Sequence, residues 1–554
     1  MRIPFTSWVF LIPICSIFLS FCIFVEAGQC LDSQKSLLVQ LKNDLTFSPA
    51  ATSKKIAQWD QTSDCCFWSG VNCSDGYVTG LDLTNESISG DLSSLFNFQN
   101  LQNLSLAYNN FSGSQIPSEF EKLTNLRYLN LTNAGFAGQI PIEISRLTRL
   151  VSLDLSADVF LGATPLKLED PNLNMLVQNL SELIELQLDG VNISARGNEW
   201  CRALSSSLQN LRVLSLSNCY LSGPIDSNLL KLQYLSIIRL DNNKLSTPVP
   251  DFFANFRQLT SLRLSFSGLT GTFPGKIFQV QTLEILDLSN NVLLHGRLPD
   301  FPQNGSLRTL FLSNTNFSGT LSDSISNLIK LSRIDLSNCN FSGSLPHSMA
   351  NLTKLLFLDM SSNSFNGPIP SFSMAKNLTQ INLSHNDLIG QITSTSWEEL
   401  QYLVSLDLRY NSLNGSIPAS LFSLPLLQKL QLSNNQFSGQ LNQVFNFSSH
   451  LLDTLDLSSN NLDGPIPTPV FELQGLKLLS LSSNNFNGSL QLNVIQRLRN
   501  LSSLDLSYNS LLVEYNGNDG INSSLSSFPN ITTLKLASSK LKKFPDFLKN
   551  QSKL

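Results

Sequence analysis

Side chains that could carry out catalysis are few and scattered in this sequence. The histidines, which could act as general bases or metal ligands, stand at 295, 347, 385 and 450, and no metal-binding spacing joins them. The segment 271–277, Gly-Thr-Phe-Pro-Gly-Lys-Ile, has a superficial likeness to a phosphate-binding loop, but its spacing is wrong and no Ser or Thr follows the lysine. No nucleophile stands beside a base, although an active site needs such groups to converge. We therefore expect a protein that is not an enzyme and uses no metal or cofactor.

Arginine and aromatic residues, by contrast, recur between regularly spaced leucines. These residue types are the usual anchors of protein–protein interfaces. The candidate ligand-binding residues are Arg239, Asp241, Arg263, Phe266, Phe311, Arg333, Phe357, His385, Arg409 and Tyr410. The alternative is that exposed positions vary freely and include some of these residues by chance, since single exposed apolar residues are common.

The elements that would position these residues are copies of one repeat of about 24 residues, L-x-x-L-x-L-x-x-N-x-L-x-G-x-I-P, of which 406–418 is a clear example. The fourth-position residues of the nineteen copies are Leu81, Leu104, Leu129, Leu153, Leu186, Leu214, Ile238, Leu262, Leu286, Leu310, Ile334, Leu358, Ile381, Leu406, Leu430, Leu455, Leu479, Leu504 and Leu534. A coil of this length cannot bury its leucines alone, so neighbouring coils must stack. The period predicts an α/β-type repeat solenoid, a superhelix with a parallel concave β-sheet.

The pattern also predicts the local structure of each coil. The alternation x-x-L-x-L has the period of a β-strand, and nineteen strands about 4.8 Å apart would make a sheet about 85 Å long. Asparagine at the ninth position is expected to satisfy backbone groups of adjacent coils, and Cys219 and Cys339 occupy that position as small buried groups. The Gly-x-Ile-Pro tail predicts short strands and tight helical turns on the convex side. The three longest spacings between copies predict loops at 161–180, 195–207 and 512–527.

Four cysteines precede the repeats, at 30, 65, 66 and 73. Because adjacent cysteines rarely bridge to each other, the pairing is either 30–65 with 66–73 or 30–66 with 65–73, and we favour the first. Leucines at helical spacing predict a short amphipathic helix over 33–45 beneath this cap. Cys201 lies in an inserted segment and is a possible partner for Cys219.

The ends and the composition define the remaining organisation. A positive start, an apolar run and Val25-Glu26-Ala27 predict a signal peptide over 1–27, with an uncleaved anchor as the alternative. The cysteine-rich cap then covers 28–76 and the repeats cover 77–554, with an open C-terminal end that predicts a fragment of a longer chain. The net charge of -5 argues against a nucleic-acid partner. No later stretch is apolar for the roughly 20 residues that a membrane helix needs.

Twenty N-x-S/T sequons occur, although a repeat rich in Asn, Leu and Ser produces them automatically. In an exported chain we expect many to be glycosylated, with Asn72, Asn110, Asn179, Asn316, Asn340, Asn414 and Asn487 as examples. Asn130 and Asn382 fall on the concave strands, where a glycan would block a partner locally.

Several sequence motifs resemble those of one known family. The Gly-x-Ile-Pro tail resembles that of plant extracellular leucine-rich repeats, and the segment from Trp59 to Cys73, with Cys65-Cys66-x-Trp68-x-Gly70-Val71-x-Cys73, resembles the N-terminal cap of plant receptor-like proteins and receptor kinases. The segments Cys30–Leu38, Glu199–Cys201, Phe253–Phe256 and Ala350–Leu352 resemble receptor-like proteins of the Verticillium wilt resistance type. The resemblance covers essentially the whole chain.

This resemblance implies a cell-surface immune receptor whose ectodomain binds a secreted microbial protein or peptide and which signals through partner receptor kinases, both adaptor and co-receptor. It implies entry into the secretory pathway, and a plasma-membrane location facing the apoplast if the chain is full length or an extracellular one otherwise. The family's membrane anchor, acidic stretch and short tail are not in this sequence. The alternatives are a secreted inhibitor of a microbial wall-degrading enzyme, for which about ten coils would be more typical, and a peptide-hormone receptor ectodomain.

Overall fold

A computed structural model describes residues 29–47, 55–157, 165–394, 396–441, 451–515, 528–541 and 544–554. The predicted signal peptide at 1–27, His450 and residues 516–527 of one predicted loop lie outside these ranges. No helix among the residues described has both the length and the apolar character needed to cross a bilayer.

Within the residues described, a concave sheet contains nineteen parallel strands, one per repeat. Adjacent strands pair in register, so that Leu262 lies opposite Ile238 on one side and Leu286 on the other. Strand 71–74 adds an antiparallel edge at the N-terminal end. The parallel strands are Tyr77–Asp82, Asn103–Ser105, Tyr128–Asn130, Ser152–Asp154, Glu185–Gln187, Val213–Ser215, Ile237–Arg239, Ser261–Arg263, Ile285–Asp287, Thr309–Phe311, Arg333–Asp335, Phe357–Asp359, Gln380–Asn382, Ser405–Asp407, Lys429–Gln431, Thr454–Asp456, Leu478–Ser480, Ser503–Asp505 and Thr533–Lys535.

In many repeats, the residues that follow the turn after the concave strand form a second short strand. These strands pair in parallel, and we call the result the flank sheet. Its members are Thr270–Thr272, Asn291–Gly296, Thr315–Gly319, Asn340–Ser344, Ser364–Gly367, Asp387–Gln391, Ser412–Gly415, Gln436–Gln440, Asn461–Gly464 and Asn485–Phe486. Shorter pairs join Leu45–Phe47 to Ile88–Gly90, Gly138–Gln139 to Leu166–Lys167, and Ser489–Gln491 to Leu512–Glu514. The repeat tail therefore makes short strands, as predicted.

The convex side consists mainly of single helical turns. The 3-10 helices are Ile56–Gln58, Cys65–Phe67, Ser93–Asn97, Ser118–Lys122, Ile142–Arg146, Ser227–Lys231, Asp251–Asn255, Gly275–Gln279, Asp323–Asn327, His347–Asn351, Ile392–Ser394, Trp397–Glu399, Ala419–Ser423, Thr468–Glu472, Leu492–Arg497 and Asp546–Asn550. The α-helices are Asp32–Asp44, Leu173–Val177 and Gly197–Ser207. A proline directly before many of these turns, such as Pro250 before Asp251–Asn255, supplies the extended backbone at the N-cap.

The ninth position forms a hydrogen-bond ladder inside the solenoid. The Asn243 amide donates to Leu216 O at 2.8 Å and Leu240 O at 2.9 Å, and its Oδ1 accepts from the backbone N–H of Cys219 and Leu221. Because partners come from the preceding coil and from its own coil, each rung satisfies buried backbone groups that would otherwise lack partners. The predicted role of asparagine is confirmed.

The two cysteines of the ladder act in the same way. The Cys219 thiol donates to Leu188 O at 3.0 Å, and the Cys339 thiol donates to Leu312 O at 3.1 Å. Burial raises the pKa of both thiols, which keeps them protonated and able to donate. Cys201, Cys219 and Cys339 are all free, so the bridge considered between Cys201 and Cys219 is not formed.

The segment 195–207, predicted as a loop, is largely the α-helix Gly197–Ser207. Its Trp200, Cys201 and Leu204 are fully buried on one face, and the Glu199 carboxylate caps the helix by accepting from Arg196 N–H at 3.2 Å. This packing explains why Cys201 belongs to the core, where burial raises its pKa to about 12. The prediction was wrong because an insertion long enough to bury an apolar face forms a helix there. The insertion at 161–180 likewise contains a short strand and the helix Leu173–Val177.

The N-terminal cap covers the first coil. Cys30 is bonded to Cys65 and Cys66 to Cys73, the first of the two pairings considered. Helix Asp32–Asp44 lies one residue from the predicted 33–45 and buries Leu38 and Leu41. Trp59 and Trp68 stack with ring centroids 5.5 Å apart, and Trp59 Nε1 donates to Ser69 O at 3.0 Å. The cap therefore shields the end of the leucine core from water.

Candidate ligand-binding surface

Strand register places the candidate residues in rows across the concave sheet. In the fifth-position row, Arg239 lies opposite Arg263, Arg263 opposite Asp287, and Asp287 opposite Phe311. In the third-position row, Arg333 lies opposite Phe357. Side chains separated by 24 or more residues in sequence are therefore neighbours about 4.8 Å apart across the strands.

One cluster joins three of the predicted residues. The Arg333 guanidinium carbon lies 5.7 Å from the ring centroid of Phe311 and 5.1 Å from that of Phe357. The two rings meet edge to face at 6.5 Å. Arg333 is exposed and both rings are half-buried. We call these three residues the aromatic–arginine cluster.

Carboxylates adjoin this cluster. Asp335 is opposite Phe311 on one side and Asp359 on the other. Burial raises the pKa of Asp359, and hydrogen bonds from Ser361 and Asn382 partly oppose that shift. The surface beside Arg333 thus presents both signs of charge within two strand spacings.

A second group lies two coils further on. The His385 and Tyr410 rings stack with centroids 4.2 Å apart. Arg409 donates to Asp407 from Nη2 at 2.7 Å and from Nε at 3.0 Å, and this hydrogen bonding raises the pKa of the guanidinium. Arg409 is therefore already paired within its own coil, whereas Tyr410 leaves 48% of its surface exposed.

The remaining candidates lie toward the N-terminal end of the surface. Burial raises the pKa of Asp241, which accepts hydrogen bonds from the Ser265 N–H and hydroxyl, both at 3.0 Å. Arg239 and Arg263 are half-buried, and the Nε atom of each is buried without a hydrogen-bond partner. Phe266 is 56% exposed, at a turn position with φ of 51° that bulky residues rarely adopt.

The eighth-position backbone is a feature that the sequence analysis missed. Phe266, His385 and Tyr410 all have positive φ there, in a position where asparagine is frequent. Asparagine tolerates this left-handed conformation, and larger side chains pay a strain of about 1 kcal/mol or more. The recurrence of Asn at this position in the repeat is the signal that could have revealed it.

The predicted glycosylation sites differ in exposure between the concave strands and the rest of the surface. All seven example asparagines are exposed. The two concave ones are half-buried, and their amides are engaged: Asn382 donates to Asp359 at 2.9 Å, and Asn130 accepts from Thr132 N–H at 2.9 Å. A glycan at Asn382 would take one of the two amide hydrogens and leave one to donate to Asp359.

Groups that might support catalysis are not brought together in the described ranges. His295, His347 and His385 lie in different coils, and the segment 271–277 is the end of a flank strand followed by the turn Gly275–Gln279. In the N-terminal cap, Cys30, Asp64, Cys65 and Cys66 lie close enough together to resemble a metal-binding group. All three cysteines are disulfide-bonded, so their thiolates are not available as metal ligands.

Comparison with known proteins identifies leucine-rich repeats along the chain. The leucine-rich-repeat N-terminal domain matches 31–74, and leucine-rich-repeat models match 100–123, 210–232, 306–328, 330–352, 376–437 and 451–473. The chain is 32% identical over 337 residues to Receptor-like protein 6 of Arabidopsis thaliana, covering 57% of this chain and 29% of that protein. It is 31% identical over 233 residues to Receptor-like protein Cf-9 of Solanum pimpinellifolium, covering 39% of this chain and 26% of that protein.

The chain contains the leucine-rich-repeat N-terminal domain followed by leucine-rich repeats, and it is similar to plant receptor-like proteins. It spans less than a third of the length of the curated relatives it matches. Among solved structures, the ectodomain of the Arabidopsis receptor kinase HAESA, in complex with an IDA peptide hormone ligand, has the same fold with a TM-score of 0.71 and 24% identity, covering 95% of this chain and 92% of that chain. The structure of PEPR1 with AtPEP1 matches with a TM-score of 0.60 and 26% identity, covering 95% and 84%.

Proposed function

We propose that this chain is the recognition ectodomain of a cell-surface immune receptor-like protein, which binds a secreted microbial protein or peptide on its concave face without catalysis. The aromatic–arginine cluster of Phe311, Arg333 and Phe357 carries the proposal. It resembles an interface anchor because two rings and a guanidinium are held together on a face otherwise rich in Ser and Asn.

The cluster is also preorganised for binding. Each cation–π contact at an exposed site contributes roughly 0.5–1 kcal/mol, so the two rings restrict the Arg333 side chain before a partner arrives. A partner that covers the rings would remove them from water while meeting a guanidinium already in place. Less side-chain entropy would then be lost on association.

Charge reversal tests the site. Arg333→Glu places a carboxylate between the rings and beside Asp335, and we expect it to weaken capture of secreted fungal proteins by at least tenfold, about 1.4 kcal/mol. Arg263→Glu tests the N-terminal part of the predicted surface. Lys354→Glu is the matched control, because Lys354 is exposed in the turn that precedes the strand bearing Phe357. Equal binding by Arg333→Glu and the control would refute the role of the cluster.

Two alternatives use the same scaffold. The structural similarity to HAESA, solved with an IDA peptide hormone ligand, and to the plant peptide hormone receptor RGFR1, solved with RGF2, favours a peptide-hormone receptor as the second candidate. An inhibitor of a microbial wall-degrading enzyme is the third. Parallel binding measurements with secreted fungal proteins, plant peptide hormones and wall-degrading enzymes separate the three, because each candidate predicts Arg333-dependent binding in one arm alone.

The resemblance to receptor-like proteins of the Verticillium wilt resistance type supports proposals on the partners, the export and the glycosylation of this chain. We propose adaptor and co-receptor kinases as partners, export through a signal peptide over 1–27, and glycans on the exposed sequons. Mass spectrometry of the secreted protein tests the last two together: its N-terminus should lie after Ala27, and the asparagines at 72, 110, 179, 316, 340, 414 and 487 should carry glycans. An unmodified set, or a retained segment 1–27, would contradict these expectations.

A further inference from the structure

A groove of about 580 Å³ lies outside the predicted surface, at the edge of the concave sheet where the strands of the third to seventh coils begin. It is lined by basic, aromatic and apolar side chains together with one carboxylate and one amide: Arg127, Tyr128, Val151, Glu182, Ile184, Asn210, Arg212 and Tyr234. We call it the strand-start groove. It does not include any residue of the aromatic–arginine cluster.

Four of these residues form successive rungs of one backbone ladder. Val151 N–H donates to Arg127 O at 2.7 Å, Ile184 N–H to Val151 O at 2.8 Å, and Arg212 N–H to Ile184 O at 2.8 Å. The order along the groove is therefore cation, apolar, apolar, cation. Three strand spacings of about 4.8 Å put the two arginine backbones about 14 Å apart.

The two arginines are exposed, and neither forms an ion pair with a carboxylate of the residues described. The equivalent position four coils beyond Arg212 behaves differently: Arg308 Nε lies 3.1 Å from the carboxylate of Glu284 on the adjacent rung. Arg127 and Arg212 are instead separated from each other by apolar rungs, so their charges are free for a partner.

Tyrosines mark the two ends of the groove. Tyr128 is 47% exposed and Tyr234 is 48% exposed. Large aromatic side chains that stay exposed beside unpaired arginines are the residue types enriched at the centres of interfaces. Glu182 lies on the rim and supplies the single negative charge of the lining.

From this arrangement we infer that the strand-start groove binds an extended peptide segment with two acidic residues four positions apart and an apolar residue midway between them. In an extended chain, residues i, i+2 and i+4 point to the same side. Four residues at about 3.4 Å each span about 14 Å, which matches the separation of the two arginines. The apolar residue would cover the half-buried Ile184, beside the largely buried Val151, and each carboxylate would meet one guanidinium.

The test uses the whole ectodomain and fluorescent peptides, with binding followed by anisotropy. The first peptide is Gly-Glu-Ala-Leu-Ala-Glu-Gly, and the second, Gly-Ala-Glu-Leu-Glu-Ala-Gly, has the same composition with the acidic residues two apart. All protein is deglycosylated first, because the sequon at Asn179 is three residues from Glu182. We expect the first peptide to bind about tenfold more tightly than the second, as expected for one additional charged hydrogen-bonded contact.

Variants of both signs sharpen the test. Arg127→Gln and Arg212→Gln should each weaken binding of the first peptide by about tenfold. Glu182→Gln should strengthen it by about threefold, because a like charge is removed from the rim. Two control variants should leave it unchanged: Arg308→Gln, at the equivalent but paired position, and Lys354→Glu, at an exposed position outside both surfaces.

Three results would overturn the inference: equal affinity for the two peptides, loss of binding that is no greater in Arg127→Gln and Arg212→Gln than in Arg308→Gln, or binding of an acidic polysaccharide in place of both peptides. Unchanged thermal unfolding of the variants shows that they are folded. Failure of the microbial-ligand proposal is measured with Arg333→Glu and secreted fungal proteins. Failure of this inference is measured with Arg127→Gln, Arg212→Gln and the two short peptides, so the two failures are distinguishable.

Discussion

Replacement of one ladder asparagine is expected to open the solenoid locally. Asn243 is 4% exposed and forms four close contacts with buried backbone groups: two donated to Leu216 O and Leu240 O, and two accepted from Cys219 N–H and Leu221 N–H. At about 1 kcal/mol for each buried hydrogen bond, Asn243→Ala should cost about 4 kcal/mol.

A graded series separates hydrogen bonding from size. Ser267 occupies the ninth position of the next coil, and its hydroxyl donates to Leu240 O at 3.0 Å. Asn243→Ser should therefore keep a donated hydrogen bond, lose the two accepted from the preceding coil, and cost about 2 kcal/mol. The order of stability should be Asn, then Ser, then Ala.

Amide hydrogen exchange is the appropriate assay, because a repeat array opens in parts and a single unfolding midpoint is poorly defined. The free energy of opening should fall most at Cys219 and Leu221, whose N–H groups lose their acceptor. Amides of the last coils, which share no contact with Asn243, serve as an internal control. If the free energy of opening at these two amides in Asn243→Ala stays within about 1 kcal/mol of its value in the unmodified chain, our account of the ladder is wrong.

Two further predictions concern the cap and a buried carboxylate. The disulfide Cys30–Cys65 has a sequence separation of 35, and Cys66–Cys73 has one of 7. Because the longer loop restricts the unfolded chain more, replacing the first pair by serine should lower the free energy of unfolding by about 4 kcal/mol and replacing the second by about 2.5 kcal/mol. Urea unfolding of the cap measures both losses, and equal losses would contradict the entropic argument. Burial raises the pKa of Asp241 above its ordinary value, so the folded state holds this proton more tightly than the unfolded state and the free energy of unfolding falls as pH rises through the folded pKa. Asp241→Asn should reduce that fall, and an unchanged pH profile would refute it.

Much of the scaffold was predictable because each coil repeats the same local instructions. Alternating leucines specify a strand with one buried face, and neighbouring coils have no other surface against which to bury it. Asn243 illustrates how far this goes, since its ladder role followed from position alone. The helix Gly197–Ser207 was not predictable from the repeat, because an insertion lies outside the pattern and its burial depends on the coil beneath it.

The binding surface divides in the same way. Arg333 could be assigned to the concave face from its place between leucines, but the contact with both Phe311 and Phe357 depends on three separate coils. Whether an arginine forms an ion pair with a carboxylate was even harder to predict from the sequence. Arg308 and Arg212 occupy equivalent positions in the repeat, and only the first meets a carboxylate, because the adjacent rung holds Glu284 in one case and Ile184 in the other.

By itself the sequence determined the solenoid, its concave sheet and the internal ladder. These are consequences of periodicity, which acts between nearest neighbours and can be read from a single copy. The tertiary structure alone decided which of the free side chains meet, which charges are neutralised, and that Arg127 and Arg212 flank an apolar groove. Those outcomes depend on register between coils and on inserted segments, and small changes of distance there decide whether a charge is paired or left for a partner.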